Sequence, residues 1–355
     1  MKSAVFSSSA AGPQSLVLSP GGGSVTMKFH HVLSLLLLTA VTSSQNTSCK
    51  PGDNCSPPDC RCWNDDAVPG NVPVKETPQV IMVTFEYAVN KANVDFYNGL
   101  FQGSVNPNNC PAVGTFFVQQ TNTDMAVVKS LADNGHEIGV MSIDGTLPAT
   151  GEQWRNNIAQ VRSAAVAQGV PEAEILGVRA PNLRPGGLDE FTAMAQEQFL
   201  YDASCSTSKF VDQSSLLWPY TYDFAPGIDC DNGEGPEQEF PGKWQVLVAD
   251  LEFNGTKCAS PSACTQVATQ RDAFDLFYNS FIKHYEGSRS PFMIVINPQW
   301  VTYDFKREGT RQFIEYVRAA FEDTWVLSVR QALEWVRQPV PNANATADYP
   351  PWSCV

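Results

Sequence analysis

The sequence predicts an α/β domain in which parallel strands alternate with helices packed outside the sheet. Three observations carry that prediction. From Pro78 onward, short runs are apolar at consecutive positions, as strands buried on both faces require. Stretches of helical periodicity lie between several of these runs. Gly135 and Gly169 stand where helix C-terminal glycines belong. In chain order the predicted strands are Val80–Phe85, Gly114–Gln119, Glu137–Met141, Ile175–Ala180, Leu200–Ser204, Trp244–Asp250, Pro291–Asn297 and Trp325–Val329. Between the third and fourth, Trp154, Ile158, Val161 and Ala165 recur with the spacing of one helix face. Ahead of the seventh, Phe274, Phe277, Phe281 and Tyr285 recur in the same way. The stretch from Asp202 to Lys243, rich in Pro, Gly and Asp, reads as long loops, and Cys258 with Cys264 as closing another. Periodicity leaves open whether the sheet closes into a barrel or stays open.

A chain of 355 residues, 43% of them apolar, is long enough for one large domain with an extensive core. A net charge of −14 excludes a nucleic-acid partner, whose phosphates would be repelled. Residues 1–26 are rich in Ser, Gly and Ala and read as an upstream extension without structure. Residues 27–45 read as a signal peptide: a basic start, an apolar run over Val32–Val41 too short to span a bilayer, then small residues. Residues 46–77 form a Cys-rich segment, 78–340 the main domain and 341–355 a C-terminal tail that ends PPWSCV without the hydrophobic stretch of a lipid anchor. Ten cysteines fit an oxidising compartment. Cys49, Cys55, Cys60 and Cys62 have a zinc-knuckle look, but no histidine stands near them, so disulfides are the better reading. Sequons at Asn46, Asn54, Asn254 and Asn344 agree with secretion. The expectation is an extracellular protein without a membrane anchor.

Three separated motifs bear on chemistry: VIMVTFEYA over Val80–Ala88, GHEIGVMSIDG over Gly135–Gly145, and GVRAPNLR over Gly177–Arg184. In this order they resemble the polysaccharide deacetylase (NodB-homology) family, and most of all the secreted chitin deacetylases of invertebrates. The CSPPDCRCWNDDAVPG stretch resembles the lead-in to the catalytic domain of those enzymes. The resemblance spans about 78–338 and implies an irregular, incomplete (β/α) barrel of about seven strands. It also implies a divalent metal, usually zinc, held by one aspartate and two histidines, which activates water and polarises an N-acetyl carbonyl.

Carried over residue by residue, that machinery is altered. Glu86 stands at the base aspartate, with the carboxyl group kept and one methylene added. Tyr87 stands at the metal-ligand aspartate, Met141 and Gly145 at the two ligand histidines, and Asn297, in IVINPQW, at the acid histidine. A neutral phenol and a thioether are poor ligands for a hard divalent ion, glycine offers no side chain, and an amide cannot cycle a proton at neutral pH. Beyond the signal segment only His136 and His284 occur, and no histidine pair at i, i+4 exists to rebuild a site. The metal is therefore expected to be lost and no cofactor is assigned. Arg179 and Asp202 match the residues that steady the base carboxylate, with Arg179 free to pair with Glu86 or Asp202. Trp218, Tyr220 and Tyr222, from LWPYTYDF, and Trp300 are candidates to line a glycan groove.

A different catalyst is weakly supported. Glu86, Asp144 and Asp202 are carboxylates whose convergence would suit a glycosidase pair, while no G-x-S-x-G motif supports a serine nucleophile. The expected function is a secreted, non-catalytic chitin deacetylase-like protein that binds chitin or another N-acetylglucosamine glycan of an extracellular matrix. The alternatives are a weak or altered deacetylase, or a structural or interaction protein that uses its acidic surface without a glycan ligand.

Overall fold

The longest strand, β1 (Gln79–Tyr87), is buried at eight of its nine positions, which its apolar sequence allows on both faces. A computed structural model describes residues 48–211 and 216–354. The extension 1–26, the signal segment 27–45 and Asn46 lie outside the described residues. After β1 come α1 (Val94–Phe101), β2 (Thr115–Val118), α2 (Met125–Asp133), β3 (Glu137–Val140), α3 (Gly151–Val166), β4 (Gly177–Val178), α4 (Gly187–Gln196) and β5 (Tyr201–Asp202). Short strands β6 (Ser206–Thr207), β7 (Tyr220–Tyr222), β8 (Phe240–Gln245), β9 (Val248–Ala249), β10 (Leu251–Phe253) and β11 (Thr256–Cys258) follow. The domain ends with α5 (Gln270–Glu286), β12 (Phe292–Ile296), α6 (Pro298–Val301), α7 (Asp304–Ala320), β13 (Thr324–Leu327) and α8 (Val329–Arg337).

The main sheet has the order β12-β1-β2-β3-β4-β5-β8-β7, with β13 also paired to β1. Its pairs are parallel except β7 with β8. Helices supply the crossovers from β1 through β5, whereas between β5 and β8 the chain runs through β6 and β7. Trp154, Ile158, Val161 and Ala165 are the buried face of α3, as their spacing predicts. Gly135 and Gly169 take φ of +86° and +93°, the left-handed conformation of a helix terminus. Capping boxes start α5 (Thr269 with Asp272) and α8 (Ser328 with Gln331).

The sheet curls. Arg179, just beyond β4, donates from Nη1 to Thr84 Oγ1 of β1 at 2.7 Å and from Nη2 to Met293 Sδ of β12 at 2.9 Å. On a flat sheet β4 and β1 would stand roughly 14 Å apart, three strand spacings, so the strands must wrap around this side chain. Among the described residues no ladder joins the two ends of the strand order, so a hydrogen-bonded barrel closure is not part of the architecture seen here. Two sequence expectations are corrected. The span from Asp202 to Lys243 is not all loop but carries β6, β7 and the start of β8, and the predicted strand Trp244–Asp250 is divided between β8 and β9.

All ten cysteines are paired: Cys49–Cys62, Cys55–Cys60, Cys110–Cys354, Cys205–Cys230 and the expected Cys258–Cys264. The N-terminal segment is docked on β7 by the reciprocal bonds Thr221 N to Arg61 O and Arg61 N to Thr221 Oγ1. The tail is held by Cys354 and by Trp352, which packs on Trp325. Among the described residues no helix is long and apolar enough to cross a membrane.

Candidate functional site

Parallel strands place their C-terminal ends on one side of the sheet, where side chains from different strands can meet. Along the order β12, β1, β2, β3, β4, β5 those ends present Asn297, Glu86 with Tyr87, Gln119, Met141, Arg179 and Asp202. All the residues that the sequence singled out at strand ends are therefore on the same side.

Glu86 and Arg179 form the buried centre. Arg179 is fully buried; besides Thr84 and Met293 it donates from Nε to Ala203 O at 2.9 Å and lies over the Phe117 ring. Its Nη1 stands 3.6 Å from Glu86 Oε1, an oxygen with no hydrogen-bond partner. Glu86 is only 4% exposed. Burial raises its pKa to about 7, against the opposing pull of Arg179. Of the two partners expected for Arg179, Glu86 is thus the one within ion-pair distance. Asp202 instead accepts from Ser204 N at 2.9 Å, from Ser204 Oγ and from Gln245 Nε2 at 2.7 Å. Beside it lies a residue that the sequence reasoning missed, Glu190 of α4, fully buried and bonded through Oε2 to Gly186 N at 2.6 Å. Burial and the charge of Asp202 push the Glu190 carboxyl well up. The only sequence signal was a glutamate on the same helix face as Gly187 and Met194, both buried.

The three positions that the resemblance assigns to metal ligands carry other features. Tyr87 has φ of +72°, rare for an aromatic residue, and its phenol donates to Asn182 Oδ1 at 3.0 Å. Burial and the neighbouring Glu86 charge raise its pKa, keeping the phenol neutral. Met141 is fully buried. Gly145 has φ of +82°, and a β-carbon there would stand 2.7 Å from Gln119 Oε1 and 3.3 Å from two carbons of the Tyr87 ring. As donors, a neutral phenol already committed to Asn182, a thioether and no side chain at all do not fit a hard divalent ion. Among the described residues the one convergent set of three His, Cys, Asp or Glu donors is Cys49, Cys55 and Cys60, and all three are locked in disulfides. Neither histidine of the domain is at the strand ends' disposal. His136 Nδ1 accepts from Gly114 N between Phe101 and Phe116, His284 Nδ1 is 2.9 Å from Ser290 O, and burial drives the pKa of each down to about 4.

Asn297 caps α6: its Oδ1 accepts from Trp300 N at 3.1 Å and from Ser262 Oγ at 2.6 Å. Asp144 is exposed in a turn, bonded to Thr146 N and Oγ1, while Asp202 is fully buried, so the two do not flank one accessible bond.

The four aromatic groove candidates require correction. Trp218, Tyr220, Tyr222 and Trp300 are each at most 2% exposed. Trp218 stacks on Trp335; the Tyr220 hydroxyl donates to that of Tyr222, which donates to Gln245 Oε1; Trp300 Nε1 donates to Thr310 Oγ1. A ring that stacks on a sugar must offer a face to solvent, and these rings spend their faces on the core. Tyr87, at the end of β1, is partly exposed, and Tyr303, after α6, is half exposed. Two surface depressions, about 350 Å³ between α1 and α7 and about 310 Å³ near Asn106 and Arg318, include none of the strand-end residues. The sequons at Asn54, Asn254 and Asn344 are exposed.

No family model matches the chain. It is 30% identical over 323 residues to chitin deacetylase 8 of Bombyx mori, a match covering 87% of this chain and 84% of that one. It is 28% identical over 320 residues to chitin deacetylase 1 of the same species, covering 84% of this chain and 58% of the relative. Among solved structures it is similar to proteins assigned as polysaccharide deacetylases from Mycobacterium smegmatis and Pseudomonas aeruginosa PAO1. Both have a TM-score of 0.52; identity is 18% and 14%, and coverage is 80% and 79% of this chain and 95% and 98% of theirs. At such identity the likeness concerns the fold.

Proposed function

The chain belongs to the polysaccharide deacetylase family, and on that premise we propose that it is a secreted member that binds chitin or a related N-acetylglucosamine glycan without hydrolysing it. The observation that carries the loss of hydrolysis is at Gly145. The position supplies no donor, and the side chains of Gln119 and Tyr87 fill the space that a donor would need. With Tyr87 and Met141 equally unsuited, the metal of the family has no ligand set at the strand ends, and Asn297 serves as a helix cap rather than a proton donor. Disulfides throughout the described domain and exposed sequons support a route through the secretory pathway.

The glycan half of the reading rests on the relatives, whose names state action on chitin, and on the accessible rings of Tyr87 and Tyr303. The secreted protein is to be tested for retention on colloidal chitin against cellulose, for bound metal by elemental analysis, and for acetate release from chitin oligomers with and without added zinc. Selective retention, no stoichiometric metal and no acetate are expected. Acetate release that needs zinc would overturn the non-hydrolytic assignment, and equal recovery on both polymers would overturn the glycan assignment.

One observation favours a second reading. Burial of all four expected groove rings removes the main sequence argument for a sugar platform, and suits a structural or interaction protein that needs no glycan. A stable protein partner together with failure of glycan-array binding would select it.

A further inference from the structure

Tyr87 and Gln119, at the ends of β1 and β2, and Gly145, in the turn after β3, meet in one small volume. Gln119 is held in place: its Nε2 donates to Thr121 O at 2.7 Å, its backbone N to Tyr87 O at 3.3 Å, and its carbonyl accepts from Thr123 Oγ1 at 2.5 Å. The Tyr87 phenol is tied to Asn182, which has φ of +60° and whose carbonyl accepts from Asn232 Nδ2 at 2.9 Å. Tyr87, Gly145 and Asn182 are thus three residues in the left-handed region at one site. Backbone of this kind persists in Tyr and Asn only where the surroundings hold it.

We propose that the Tyr87 ring and the Gln119 amide form an interlocked plug over Gly145, with Gln119 the tighter half, so that ligands restored at 87, 141 and 145 do not take up a divalent ion while Gln119 stays in place. The inference rests on the reading of those three positions as having left metal binding, and adds that the space itself has been reassigned. Gly145 is then required twice: for its left-handed φ, and because any β-carbon meets Gln119 Oε1 at 2.7 Å, closer than real contacts run. The Tyr87 contact at 3.3 Å is looser and closes the other side.

The test is a thermal-unfolding cycle in the full secreted protein. Gly145→Ala in the wild-type background is expected to lower Tm by about 4–10 °C, from overpacking together with left-handed strain. In a Gln119→Ala/Tyr87→Ala background the plug is gone and only the strain remains, so the same substitution should cost about half as much. Equal losses in the two backgrounds, or no loss in either, would overturn the plug. In parallel, zinc content is measured by elemental analysis for Tyr87→Asp/Met141→His/Gly145→His, which keeps the Gln119 half of the plug and is expected to be substoichiometric, and for the same variant with Gln119→Ala added, expected to hold more. One zinc per chain in the triple variant, with wild-type Tm, would also overturn it. If the triple variant does not fold, the alanine cycle decides alone. Chitin retention and acetate release report on the proposed function and are independent of the cycle, so the two readings fail separately.

Discussion

Replacing Glu86 by glutamine should flatten the fall of stability between pH 5 and pH 8. The carboxyl is almost fully buried and its pKa is raised to about 7, whereas an unfolded glutamate titrates near 4.5. A group whose pKa is raised on folding binds its proton more tightly in the folded state. Its contribution is therefore full below about pH 4.5 and lost as pH climbs through about 7. The difference of about two and a half pH units corresponds to roughly 3 kcal/mol in all, of which about 2.5 kcal/mol falls between pH 5 and 8. His136 and His284 act in the opposite sense. Their pKa values are pushed down to about 4, so raising pH through roughly 4 to 6.5 stabilises the fold and partly hides the Glu86 effect. The difference between wild type and Glu86→Gln cancels the histidines. Urea unfolding followed by tryptophan fluorescence at several pH values should show that difference moving by about 2.5 kcal/mol in favour of the glutamine variant as pH rises. Parallel stability profiles for the two proteins would refute the argument, because they would mean that Glu86 is ionised or solvated across the whole range.

Arg179→Ala should cost about 3–5 kcal/mol, since it leaves Glu86 buried without its counter-charge and strips Thr84 and Ala203 of a donor; an unchanged urea midpoint would contradict this. Removing the Cys110–Cys354 bridge by paired serine substitutions should cost about 2–4 kcal/mol and shift tryptophan emission to the red as Trp352 loosens from Trp325, with an unchanged Tm as the contrary result. Trp300→Ala should cost about 3–5 kcal/mol while chitin retention per folded molecule is unaltered. Loss of retention at wild-type Tm would return Trp300 to a groove.

Much of the fold was legible because burial on both faces writes strands as unbroken apolar runs. The runs Val80–Phe85, Gly114–Gln119 and Pro291–Asn297 match β1, β2 and β12 within two residues at each end. β6 and β7 were not legible. They are two and three residues long, lie in a stretch of Pro, Gly and Asp, and are made by pairing with β9 and β8, which no local pattern records. That Glu86, Met141, Arg179, Asp202 and Asn297 come at strand ends could be read from the predicted strands. Their packing could not. Nothing in one dimension says that Tyr87 lies against Gly145, that Glu190 is buried beside Asp202, or that the rings of LWPYTYDF turn inward. Ring identity reports size and polarity, and the side of the sheet on which a ring falls is decided by pairing register. The same holds for Cys110 and Cys354, which are 244 residues apart and were brought together only by the fold.

The bonds of Arg179 bear on what a retained arginine can say about activity. A motif count would enter this residue on the side of a surviving active site, since the resemblance sets it at the family's arginine. Its hydrogen bonds go to Thr84, Ala203 and Met293, all of them spanning strands. Selection for a curled sheet alone would preserve such a guanidinium after every hydrolytic demand had lapsed. Residues of this kind are silent about catalysis whichever way they read; on the reading proposed above, the positions that bear on it are those of Tyr87, Met141, Gly145 and Asn297. A census of relatives that weighs those positions and sets the arginine aside would separate working enzymes from binders more sharply than overall similarity does.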